Sequence, residues 1–173
     1  MDSDNIDYRL RNAEFAKSEG VQWLGTSIAS LSTLQSVLVV GSNLRKDHPL
    51  FAQRIRQATR KGCAVNAINA TVYDWAMPVS QAIVAPSALW TDALAQVVAA
   101  VAAEKSMPTP VAVESVSEGA RAVAASLLSG ERKAILLGNA AAHHANAPNL
   151  LALAKWIGEP TRAAVRYLTQ AAN

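Results

Sequence analysis

Cysteine is nearly missing from this chain: Cys63 is the only one in 173 residues. A single thiol makes no internal disulfide. By itself it holds neither a structural zinc nor an iron–sulfur cluster, both of which need sets of ligands. Its solitary use fits a reducing compartment. Long hydrophobic runs are missing too. The stretch 93–103 is Ala/Val-rich but shorter than a membrane span, and Glu104 and Lys105 end it. Met1-Asp2-Ser3-Asp4 is acidic and polar, unlike a secretory signal. Glycine-rich phosphate loops are absent. Gly41 is followed by Ser-Asn-Leu-Arg-Lys and Gly138 by Asn-Ala-Ala-Ala-His, so neither GxGxxG nor GxxxxGK[ST] can be written. Tight pyrophosphate binding in the NAD style is therefore not expected. Aromatics make up only 5%, and the net charge of +3 is spread over scattered cations. The densest group is Arg45, Lys46, Arg54, Arg56, Arg60 and Lys61. It lacks the broad stripe and interleaved aromatics of a nucleic-acid surface, so no nucleic-acid partner is expected.

What the chain does have is one pattern used twice. Ser36-Val37-Leu38-Val39-Val40 runs into Gly41-Ser42-Asn43, and Ala134-Ile135-Leu136-Leu137 runs into Gly138-Asn139. Each run is too short for a helix and too uniformly apolar for a half-exposed strand. Both read as buried strands of a parallel sheet covered on its two faces. The expected architecture is α/β: a single Rossmann-like three-layer domain with a mainly parallel sheet of about four strands. The other strands are expected at 63–68 and 81–85. Helices are expected from Pro49 to Gly62, with Leu50, Ile55 and Ala58 on the buried side, and from Ser87 or Thr91 to about Lys105. A third should run from Ser117 to Leu128, and a last one should be capped by Asn149. Pro160 interrupts that last helix, and residues 162–168 read as its continuation. Residues 27–34 suit a short helix capped by Thr26 or Ser27, and Tyr8-Arg9-Leu10-Arg11 reads as a short strand or a helix start.

In open α/β sheets ligands sit at the carboxyl ends of the strands. The candidate pocket is therefore Gly41, Ser42, Asn43, Gly138, Asn139 and His143. Ser42 and Asn43 could hold a phosphate or ribose, but ordinary turn chemistry is the favoured reading of the pair. Groups that do chemistry are not evident. His143 and His144 are adjacent on a loop and point apart, with no third metal ligand nearby. Cys63 opens a buried strand, where a thiol is inert. Glu104, Glu114, Glu118 and Glu131 fall on helix ends and links, and Trp23, Trp75, Trp90 and Trp156 read as packing anchors. Neither catalytic nor metal-binding residues are expected.

Several stretches together carry a resemblance. They are Trp23 to Leu31, Val37 to Asn43, Arg45-Lys46, His48-Pro49-Leu50, Arg54 to Ala58, and Leu136 to His144. As a set they resemble a subunit of the bacterial NADH-quinone oxidoreductase, respiratory complex I. It is the iron–sulfur subunit with a molybdopterin-oxidoreductase-like portion, and the resemblance runs from about Tyr8 onward. The tail Ala171-Ala172-Asn173 looks like the front of that family's next motif. The resemblance implies one domain, residues 1–173, excised from the molybdopterin-oxidoreductase-like portion of a larger subunit. Residues 1–7 would then be a disordered or expression-derived leader. In true molybdopterin enzymes the strand-Gly-Asn turns line the cofactor. In the complex I subunit this portion is regarded as a relic without molybdenum. The implied function is structural, within a complex that passes electrons from NADH through iron–sulfur clusters to quinone. No cofactor is expected here, and the clusters belong elsewhere in the parent subunit. The implied partners are the other domains of that subunit and other peripheral-arm subunits, on the cytoplasmic side of the bacterial inner membrane without insertion. The competing reading is a nucleotide- or molybdopterin-type cofactor-binding module with a working pocket at the two turns.

Overall fold

The structure, a computed structural model, describes residues 27–168. The readings at Tyr8–Arg11, Trp23, Thr26, residues 1–7 and the tail at 171–173 lie outside them. After a 3-10 helix, Ile28–Thr33, whose Ser27 side chain caps it, come β1 (Ser36–Val40), α1 (Leu44–Asp47), α2 (Pro49–Thr59) and β2 (Ala64–Asn69). Then follow β3 (Gln81–Val84), a second 3-10 helix Ser87–Leu89, α3 (Trp90–Glu104) and α4 (Glu118–Leu128). The chain continues with β4 (Lys133–Leu137), α5 (Asn139–Ala142), α6 (Ala147–Thr161) and β5 (Ala164–Tyr167). The strands form one sheet in the order β3-β2-β1-β4-β5, and every pairing is parallel. The sheet is thus Rossmann-like, with five strands rather than the expected four or so.

Alternation along the central strands divides the interior into two cores. Leu38, Val40, Ile68, Ile135 and Leu137 meet α3, α4 and α6 on one face. Val37, Val39, Val65, Ala67, Ala134 and Leu136 meet α2, Leu31, Leu44 and Trp75 on the other. Every residue of β1 and β4 is buried, as the uniformly apolar runs predict. One polar group lies under the first face. Asn66 Nδ2 donates to Ser126 Oγ at 2.9 Å and to the Val37 carbonyl at 3.4 Å, and the Ser36 and Ser126 hydroxyls are 2.7 Å apart.

Four expectations about particular residues need correction. Residues 162–168 do not extend a helix. Pro160 sits inside the last turns of α6, Arg162 adopts a left-handed conformation (φ 57°), and the chain turns back to pair with β4 as β5. Asn149 lies inside α6 and caps nothing; the helix opens at Ala147 with Pro148 in its first turn, where a missing N–H is harmless. Neither Ser87 nor Thr91 caps α3, which follows directly on a 3-10 turn. Leu50 is 64% exposed, because the buried stripe of α2 is Ala52, Ile55 and Ala58. The link 44–48 holds the one-turn α1. Among the described residues no helix is long and apolar enough to cross a membrane.

Candidate functional site

Chain order reverses between β1 and β4, so the crevice of this fold should open at their carboxyl ends. Val40 and Leu137 lie in register there. Gly41, Ser42, Asn43, Gly138 and Asn139 accordingly share one rim. His143 is exposed on the loop beyond α5.

The two turns close on each other. Gly138 N–H donates to the Val40 carbonyl at 2.8 Å, and Ala140 N–H to the Gly41 carbonyl at 3.0 Å. A Cβ on Gly138 would stand 2.3 Å from Ser42 Cβ and 2.6 Å from the Gly41 oxygen. On Gly41, whose φ is +65°, it would stand 2.6 Å from the Ala141 nitrogen and 2.7 Å from Trp90 Cζ3. Both positions need glycine because backbone and ring approach so closely.

The donors of the first turn, from Gly41 to Asn43, are engaged. Gly41 N–H goes to the Ile68 carbonyl at 2.9 Å. Ser42 N–H goes to Asn69 Oδ1 at 3.0 Å, while Asn69 Nδ2 returns to the Ser42 carbonyl at 3.2 Å. Asn43 N–H and the Ser42 hydroxyl both donate to Asp47 Oδ2, each at 2.9 Å. Two buried side-chain atoms at this rim, Asn43 Oδ1 and His48 Nε2, make no hydrogen bond.

The rim also holds His48 and Asp47, which residue order does not single out. The available signal for Asp47 is a carboxylate four residues after a strand-end Asn, by the logic of local side-chain-to-backbone capping. His48 is 8% exposed and meets the Phe51 ring edge-on, with centroids 5.6 Å apart. Burial lowers its pKa, overriding the neighbouring Asp47 charge and the Asn139 side chain, which both favour the imidazolium. The unfolded ring therefore takes up a proton before the folded one does. The contribution to stability is level above pH of about 6.5 and is lost as pH falls below it. Unfolding free energies from urea melts between pH 7 and pH 5 should fall faster for the wild type than for His48→Gln, by no more than about 1.4 kcal/mol per pH unit. Parallel slopes would show that His48 is not the group responsible.

His144 is a structural clamp. Its Nδ1 accepts from Asn146 N–H at 2.9 Å, which leaves Nε2 protonated to donate to the Ser87 carbonyl at 2.9 Å. The ring stacks on Trp90, with centroids 5.8 Å apart. Cys63 lies just before β2, at the far end of the sheet from the rim, and burial pushes its thiol up to about 11. It is neither ionised nor near a histidine-bearing turn, as an inert core thiol should be. A mainly apolar hollow, walled by Tyr73, Trp75, Val79 and Val84, opens beside the ends of β2 and β3, with Asn69, the partner of Ser42, also in its lining.

Residues 1–162 match the family model of the molybdopterin oxidoreductases. The chain belongs to the molybdopterin oxidoreductase family. No curated protein matches the sequence. For a molybdopterin oxidoreductase domain the rim is the place to test for fit. Molybdopterin carries phosphate, which requires free donors where it sits. Here the amides of Gly41, Ser42 and Asn43 are committed within the chain, a carboxylate lies among them, and Gly138 packs directly against Ser42. The rim residues therefore do not fit a phosphate-bearing pterin in this arrangement.

Proposed function

We propose that this oxidoreductase-family domain is a structural unit of an NADH-quinone oxidoreductase subunit and holds no redox group itself. The observation that carries the reading is the direct contact of the two turns: a Cβ at Gly138 would lie 2.6 Å from the backbone oxygen of Gly41, so the turns meet backbone to backbone with their donors used on each other and on their neighbours. Two of the stretches that resemble the complex I subunit, Val37 to Asn43 and Leu136 to His144, supply these two turns. What the turns do in this reading is mechanical. They weld β1 to β4 and hold α3 through Trp90, giving a stiff plate against which the rest of the subunit packs. The parent complex would oxidise NADH and reduce quinone through clusters held elsewhere.

A tagged copy of the full chain, expressed in its native host, should comigrate on native gels with NADH–acceptor reductase activity. Comigration with a molybdenum enzyme instead would overturn the assignment. The competing cofactor-module reading has one observation in its favour, the unpartnered His48 Nε2 and Asn43 Oδ1 at the rim. It predicts a saturable thermal shift with guanine nucleotides or pterins that Asn139→Leu removes; the structural reading predicts none.

A further inference from the structure

The acid at the rim is placed oddly for a family whose cofactor carries phosphate. Three successive backbone donors leave β1, from Gly41, Ser42 and Asn43. The first two are taken by neutral groups, the Ile68 carbonyl and the Asn69 amide oxygen. The third is taken by a charge. One oxygen of Asp47 receives both the Asn43 amide and the Ser42 hydroxyl, at 2.9 Å each. A backbone N–H and an adjacent hydroxyl converging on one anionic oxygen is the donor pair that a phosphate oxygen takes in a strand-end turn.

We infer that Asp47 is a resident counter-ion that keeps phosphate-bearing ligands out of the rim. The inference rests on the structural reading above and names the residue that makes the crevice unreceptive. A phosphate brought to this turn would have to displace the carboxylate from its two donors and would meet its charge at close range. The neighbouring atoms show that the rim has not become apolar. His48, 8% exposed, keeps Nε2 unpartnered, and the Asn43 side-chain oxygen is buried without a donor. The turn is thus rich in polar groups while its converging donor pair is taken by a charge of the chain's own.

The test is titration calorimetry of the wild type, Asp47→Asn and Asp47→Ala with inorganic pyrophosphate and with GDP. The wild type should give no saturable heat with either. Asp47→Ala should bind pyrophosphate at least about tenfold more tightly than the wild-type limit, in a salt-sensitive way, since a like charge has been removed. Asp47→Asn, which keeps an acceptor and drops the charge, should fall between. A folded Asp47→Ala that stays silent refutes the role of Asp47 and leaves the structural reading standing. Wild-type binding of either probe refutes both. Should Asp47→Ala not fold, the Asn43 amide proton decides. Its exchange with solvent should be slower in the wild type than in Asp47→Asn, whose neutral side chain is the weaker acceptor; equal rates in the two proteins refute the inference.

Discussion

Gly138→Ala should cost about 3 kcal/mol or more, a large part of the stability of a domain this size. The backbone of Gly138 is ordinary, with φ −82° and ψ −174°, so no conformational penalty is involved. The whole effect is steric. The added methyl would stand 2.3 Å from Ser42 Cβ and 2.6 Å from the Gly41 oxygen. Neither atom belongs to a flexible side-chain end that could swing aside, so β1 and β4 would have to separate at the rim. Gly62→Ala is the control. Gly62 has φ +89° and nothing within 4 Å of its missing Cβ, so its cost is the left-handed backbone alone, about 1–2 kcal/mol. Urea unfolding of both variants separates the two causes. If Gly138→Ala loses no more than Gly62→Ala, the two turns are not in the contact described above.

Trp90→Ala should be comparably damaging, at about 3–5 kcal/mol. Trp90 is 3% exposed and touches three parts of the rim at once. Its Nε1 donates to the Ala85 carbonyl at 3.0 Å, its face stacks on His144, and its edge bounds the space over Gly41. Removing the ring leaves a cavity, an unpaired Ala85 carbonyl and a loosened His144 loop. Trp90→Phe keeps most of the volume and loses the N–H, so it should cost about 1–3 kcal/mol. Denaturation curves rank the two, and limited proteolysis within residues 138–146 reports the loop. Faster cleavage is expected in Trp90→Ala than in Trp90→Phe; equal stability and equal cleavage in the two variants would mean that the ring is not the brace of this rim.

Much of the fold is readable from residue order alone, and the limits are physical. The runs 36–40 and 134–137 are legible because a fully buried parallel strand tolerates almost nothing but apolar residues. Gly41 and Gly138 then mark the carboxyl edge, which topology brings together. β5 is not legible. Ala164-Val165-Arg166-Tyr167 carries no alternation strong enough to oppose a helix, and its strand state comes from pairing with β4 after Arg162 reverses the chain. The start of α6 is misleading because Asn149 has the side chain of a cap, while Pro148 beside it is the better marker of a first turn. At the rim, residue order locates Ser42 and Asn43 but says nothing of what their donors bond to. Whether those groups are free or committed depends on Asp47 and Asn69, and Asn69 lies on another strand.

The Ser36–Asn66–Ser126 cluster settles a matter that hydrophobicity cannot. Val37 to Val40 are interchangeable in character, so β2 shifted along β1 by two residues would still bury every apolar side chain on its proper face. Such a misaligned sheet would carry the Asn66 amide away from the Ser126 hydroxyl and strand it in hydrocarbon, at about 1–3 kcal/mol. The polar trio thus works as an index mark, costly only when the strands are laid down in the wrong frame.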